Sequence, residues 1–142
     1  MLALRDAGFA ILVPFGENTR YDLVIDDGRT LARVQCKTGH IRNGAIMFKV
    51  CSSYAHHPRP RMPARHYQGE VEFFGVHCPE TGGTYLIPIA DLTVKWEGAL
   101  RLDHPRNGQQ RGVRFASDYQ IGSLSPVPRK AAASVERRPA AN

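Results

Sequence analysis

The sequence predicts an α+β domain in which a helix precedes a mixed or antiparallel β-sheet. Three observations carry that prediction. Residues 1–8 place apolar side chains at helical spacing and end on a glycine. Asp27-Gly28 separates two β-rich runs, and further short β-rich runs recur as far as Ile89, each bounded by turn residues.

Taken in order, residues 1–8 read as the last turns of a helix. Leu2, Leu4 and Ala7 are its apolar positions, and Gly8 supplies the left-handed residue on which helices commonly end. Residues 9–13 read as a short buried strand, and Pro14, Gly16 and Asn18 mark the next segment as a loop. Strands are expected at 20–26 and 31–37, joined through Asp27-Gly28, a pair that tolerates the backbone of a tight hairpin. A third strand is expected at 45–51. Residues 52–66 are polar, basic and proline-containing, hence a long loop. Strands at 71–78 and 85–89 follow, turning at Glu80-Thr81-Gly82-Gly83. From about residue 122 there is no aromatic residue, and four basic side chains face one acid. That segment lacks the apolar surface to offset ordering entropy, so a domain over residues 1–121 and a disordered basic tail over 122–142 are expected.

A chain of 142 residues is the size of one ordinary domain. No apolar run approaches the roughly 20 residues that a membrane helix needs, and the N-terminus lacks signal-peptide features. Cys36, Cys51 and Cys78 are odd in number and widely spaced, which reads as reduced thiols in a cytoplasmic protein rather than a disulfide scaffold. Nineteen Lys and Arg oppose thirteen Asp and Glu, for a net charge of +6. Fifteen of the nineteen are arginine, whose planar fork suits phosphate, so a nucleic acid is the expected partner. Arg59, Arg61 and Arg65 in the 52–66 loop are the candidate phosphate contacts. His56, His57, His66 and Cys78 match no tight zinc spacing. Of Tyr67, Phe73, Phe74 and Trp96, alternation assigns most to the core.

The hairpin also predicts a chemical grouping. With the turn centred near residues 27–29, Asp22 lies opposite Val34 or Gln35. Side chains alternate along a strand, so Gln35 and Lys37 share a face. One of the two registers gathers a carboxylate, an amide oxygen and an ammonium on that face. The neighbours Leu23, Val24, Ile25 and Val34 imply that the grouping is buried, where charge is expensive unless paired or metal-bound. Asp22 and Gln35 can offer oxygens to a hard divalent cation such as Mg²⁺, and Lys37 can serve an attacking water or a phosphate. A plain cross-strand ion pair between Asp22 and Lys37 is the open alternative.

The run from Gly16 to Asp26 (GENTRYDLVID), followed by Arg33-Val34-Gln35-Cys36-Lys37-Thr38-Gly39, resembles the PD-(D/E)XK nuclease superfamily. It is most similar to the small branch related to a group I intron homing endonuclease, in which glutamine takes the second acidic position. The run Tyr67 to Pro79 (YQGEVEFFGVHCP), then Tyr85-Leu86-Ile87-Pro88-Ile89, and the stretch from Leu100-Arg101-Leu102 to Tyr119 extend the likeness over about residues 1–121. The resemblance implies a restriction-endonuclease-like fold, a mixed β-sheet core flanked by helices. It implies a metal-dependent DNA endonuclease, using Mg²⁺ with Mn²⁺ able to substitute, in which Asp22 and Gln35 bind the metal and Lys37 is the lysine of the motif. An inert nucleic-acid-binding relic of the same fold is the alternative. Family members also carry a glutamate on the first helix, ahead of the position of Met1, so that helix is expected to be truncated; Glu17 is the candidate substitute ligand. Cutting both DNA strands would call for a homo-oligomer.

Overall fold

Helix α1 (Leu2–Asp6) buries Leu4, and the chain leaves it through Gly8 at φ +93°, a conformation that a Cβ would strain. The computed structural model describes residues 1–16, 19–52, 65–103 and 112–122. Among these residues ten strands follow the helix: β1 (Ala10–Leu12), β2 (Leu23–Asp26), β3 (Leu31–Thr38), β4 (His40–Arg42), β5 (Ala45–Lys49), β6 (Cys51–Ser52), β7 (Arg65–His66), β8 (Phe73–Cys78), β9 (Gly83–Pro88) and β10 (Glu97–Arg101). Single 3-10 turns cover Ile89–Asp91 and Ala116–Asp118.

The main sheet has the order β1-β2-β3-β8-β9. Every neighbour pair is antiparallel except β3 and β8, which makes the sheet mixed. A parallel pair needs a crossover, ordinarily a helix. Here the crossover instead carries β4 and β5, which β10 joins from later in the chain to make a second sheet ordered β10-β5-β4, and the short β6–β7 pair. The expected flanking helices are accordingly slight: among the described residues the helical elements are α1 and the two 3-10 turns.

Alternation along the strands gives the main sheet two apolar faces. One packs Leu23, Ile25, Ala32, Val34, Phe73 and Leu86 beneath Leu4 of α1 and Ala7 just after it. The other packs Phe74, Val76, Tyr85 and Ile87 against Ile46, Phe48 and Leu100 of the small sheet. Gly39 joins β3 to β4 where the two sheets meet. A Cβ there would stand 2.6 Å from Cγ2 of Ile46 and 3.0 Å from Cγ1 of Val76, so this junction closes only without a side chain.

Three differences from the sequence expectations have physical causes. The strand after the helix is not buried: Phe9 is, but Leu12 and Val13 are 46% and 66% exposed, because β1 is an edge strand paired only to β2. β4 and β10 were not anticipated. The β4–β5 hairpin turns on Asn43-Gly44, both at positive φ, which is a strong hairpin signal that was legible in the sequence. β10 is short and is recruited by pairing with β5.

The three cysteines carry free thiols. No helix among the described residues is long and apolar enough to cross a membrane. Glu17, Arg59, Arg61, His56, His57 and the segment 123–142 lie outside the described residues.

Candidate active site

The β2–β3 hairpin positions the expected trio. Leu23 pairs with Val34, Val24 with Arg33, Ile25 with Ala32 and Asp26 with Leu31. Continued one residue past Leu23, this register points Asp22 toward Gln35, and a side-chain hydrogen bond joins the two. The turn between the strands is held by Asp27, whose Oδ1 accepts the N–H groups of Arg29 and Thr30, both at 2.8 Å. These bonds hold the Asp27 carboxyl below its ordinary range, the Thr30 N–H contributing most and desolvation opposing it. At the far end of β3, parallel pairing with β8 sets Gln35 beside Phe74 and Lys37 beside Val76. The trio therefore opens on the face of the main sheet that also carries the small sheet.

The ladder slips by one residue at Asp22, whose N–H donates to the Val34 carbonyl at 2.9 Å. Its carboxylate turns back onto β3: Oδ2 accepts Nε2 of Gln35 at 2.5 Å and the backbone N–H of Cys36 at 2.6 Å. Oδ1 of Asp22 and Oε1 of Gln35 accept no hydrogen bond among the described residues. The site is not buried, contrary to the expectation drawn from its neighbours in sequence. Asp22 is exposed and Gln35 and Lys37 are half-buried, since β2 begins only at Leu23 and nothing described covers the chain just before it. The adjacent Cys36 thiol is pushed up by desolvation, and next by the Asp22 carboxylate, so it stays protonated near neutral pH.

The alternative of an Asp22–Lys37 ion pair is not realised: among the described residues Lys37 meets no carboxylate at ion-pair distance. Its Nζ donates instead to the hydroxyl of Tyr67 at 3.3 Å and lies 4.8 Å from the ring centroid. Tyr67 is 4% exposed, packs edge-on against Phe74 at 5.5 Å, and carries the Arg20 guanidinium 4.2 Å from its centroid. Arg20 is itself anchored, with Nε donating to Glu70 Oε2 at 2.5 Å, one terminal nitrogen to Ser52 Oγ and the other to the His66 carbonyl, both at 3.1 Å. Glu70 also pairs with Arg65. Arg65, a candidate phosphate contact, thus sits exposed on β7 with a carboxylate partner on the rim of this network.

Arg20, Tyr67 and Glu70 were not singled out from sequence as site residues. Arg20 lies two positions before Asp22, but its partners are 32 to 50 residues away and no local pattern announces them. A second ion pair fixes the base of β3: Glu72 accepts the Arg33 backbone N–H at 2.7 Å and its guanidinium at 2.8 and 3.1 Å. Of the aromatic candidates, Tyr67, Phe73 and Phe74 are buried, whereas Trp96 is 61% exposed and meets His66 edge-on at 6.1 Å.

The donor chemistry suits a hard cation. The Asp22 Oδ1 and the Gln35 Oε1, both without hydrogen-bond partners among the described residues, lie near each other on adjoining segments, and Mg²⁺ is commonly held by one or two carboxylates with water and substrate phosphate completing its shell. Among the described residues no cluster of three or more His, Cys, Asp or Glu is placed to hold a metal. Loading Gln35 through oxygen would require its amide to give up or turn from the bond to Asp22.

A family model described as PD-(D/E)XK endonuclease matches residues 1–122 of the chain. No curated protein matches it in sequence. Among solved structures, the bacterial homing endonuclease I-Ssp6803I is similar with a TM-score of 0.62 over 84% of both chains, at 20% sequence identity. At that identity the likeness is one of fold.

Proposed function

The chain belongs to the PD-(D/E)XK endonuclease family, and from that premise we propose that it hydrolyses phosphodiester bonds of DNA with a divalent metal, Mg²⁺ or in its place Mn²⁺. We assign the nuclease domain, of restriction-endonuclease-like fold, to residues 1–121. The observation that carries the reading is the joint placement of Asp22, Gln35 and Lys37 on one open face, with Lys37 held away from the carboxylate.

Asp22 and Gln35 would hold the cation through oxygen. When bound, the cation supplies Lewis-acid polarisation of the phosphate and lowers the pKa of bound water. The protein's own part is to present Lys37 as an ammonium held by the Tyr67 hydroxyl and neutralised by no described carboxylate. A cation not neutralised by Asp22 can orient a water for attack or stabilise charge building on the phosphate oxygens. The basic loop with Arg59, Arg61 and Arg65 is assigned to phosphate contact. Cutting both strands needs two such sites, which implies a homo-oligomer, and the free thiols suit a reducing cytoplasmic setting.

One observation favours a second reading, a DNA-binding member without catalysis. Asp22 is the one carboxylate of the trio, and no further acid among the described residues joins it in a metal cluster. Nicking of supercoiled plasmid in Mg²⁺ or Mn²⁺ separates the two. Metal-dependent nicking that Lys37→Ala abolishes is the expected result. Salt-sensitive binding without nicking by either protein would establish the second reading.

A further inference from the structure

The small sheet has an inner face, which carries Ile46, Phe48 and Leu100 into the core, and an outer face directed away from the main sheet. Register decides what the outer face displays. Arg42 pairs with Ala45, and Ala45 with Arg101, so two arginines flank one alanine in a row across three strands. The next rows set His40 beside Met47 and Ala99, then Lys49 beside Glu97. With strands about 4.8 Å apart and a rise of about 3.4 Å per residue, these cations span roughly 10 Å by 14 Å. Between them lie only small or unbranched side chains, so a second surface can approach closely.

Glu97 is the one acid in these rows, and it is engaged by the Arg42 guanidinium at 2.5 Å. Lys49 is exposed. Arg101 is the anomaly. Its Nε is shielded from solvent yet meets no acceptor, the one such side-chain atom among the described residues. Among the described residues its guanidinium makes one hydrogen bond, a long one of 3.5 Å from a terminal nitrogen to the Asn43 carbonyl. A guanidinium offers five N–H donors, and burying one unmet is costly.

Resting on the nuclease reading above, we infer that the outer face of the β4–β5–β10 sheet is a docking surface for the phosphate backbone of duplex DNA. Charge complementarity selects that occupant. Duplex DNA carries one negative charge per about 1.7 Å of axis, so a 14 Å footprint faces roughly four phosphates of each strand. Placement agrees, because the small sheet sits on the face of the main sheet where Asp22, Gln35 and Lys37 open. A duplex engaging that face meets the small sheet beside the trio, and the sheet serves as a flanking rail that sets the register of the substrate.

The test is fluorescence anisotropy of a labelled 25-base-pair duplex in EDTA, titrated between 50 and 200 mM NaCl. Two double variants remove the same charge from different places. Lys49→Gln/Arg101→Gln strips the rail and leaves the Arg42–Glu97 pair intact. Arg5→Gln/Arg29→Gln takes its charges from α1, across the main sheet, and from the β2–β3 turn. The rail variant is expected to bind about tenfold more weakly with a salt slope lower by about two, and the other variant to stay within twofold of the parent. Lys49→Gln alone changes only an exposed side chain and should lower the slope by about one, which guards against misfolding of the double variant. Equal losses in the two double variants, or none in either, would overturn the assignment. Binding lost through the rail in a chain that never nicks DNA would support the docking surface while removing the catalytic reading. No binding of duplex by the parent protein would overturn both.

Discussion

Tyr67 holds Lys37: the lysine Nζ lies 3.3 Å from the tyrosine hydroxyl, and neither Asp22 nor any other described carboxylate neutralises it. The hydroxyl belongs to a buried ring clamped by Phe74 on the core side and by Arg20 at the rim. The position of the lysine is thereby tied to residues thirty positions away and to the crossover that follows β7.

Removing only the hydroxyl tests that tie. Tyr67→Phe keeps the ring, so stability should change by no more than about 1 kcal/mol. Nicking should slow about tenfold, the effect of losing roughly 1.4 kcal/mol of positioning. A rate equal to that of the parent, in a variant of unchanged thermal stability, would show that the hydroxyl does not position Lys37.

Asp22→Asn retains an oxygen for the Cys36 N–H and should therefore fold normally, within about 1 kcal/mol. It keeps an oxygen but removes the one negative charge of the trio, so Mn²⁺ binding followed by electron paramagnetic resonance should weaken at least tenfold. Unchanged Mn²⁺ affinity would move the metal site elsewhere.

The Arg20–Glu70–Arg65 cluster makes stability depend on pH. The Arg20 hydrogen bond, foremost, and then that of Arg65 hold the Glu70 carboxyl below its ordinary value of about 4.3, with desolvation opposing them. Its folded pKa is thus depressed. The stabilisation is complete above pH 4.3 and is lost as pH falls through the lower folded value. Glu70→Gln should melt below the parent at pH 6, and the gap should close on acidification past that range. A gap that stays constant down to pH 3 would assign the loss to something other than this charge.

Gly39→Ala places a methyl group 2.6 Å from Ile46 Cγ2, between the two sheets. A loss of about 1–3 kcal/mol is expected. Because Lys37 lies two residues upstream on β3, nicking by the folded fraction should fall as well. A melting temperature equal to that of the parent would mean that the sheets separate freely at this point.

Much of the main sheet was legible because its signals are local. Gly8 closes the helix, Asp27-Gly28 turns the hairpin, and Gly82 at φ +65° turns β8 into β9. Alternation then set Gln35 and Lys37 on one face, and of two registers the structure adopts the one that brings Asp22 to Gln35. Asn43-Gly44 is an equally local signal and turns the β4–β5 hairpin. β10 had no such mark, since five residues of modest β preference become a strand only when β5 offers an edge.

What the sequence determined by itself is the set of groups that two adjoining strands bring together, because period-two alternation and turn chemistry act over a few residues. Only the tertiary structure decided their surroundings. Asp22 is exposed although apolar residues follow it in sequence, because β2 begins only at Leu23 and exposure depends on what packs above a strand. Lys37 meets Tyr67 rather than Asp22, and Arg20 meets Glu70, across 30 and 50 residues of chain. Such contacts form when the crossover folds back and parallel pairing of β3 with β8 closes the loop, and no local preference of either partner encodes that closure.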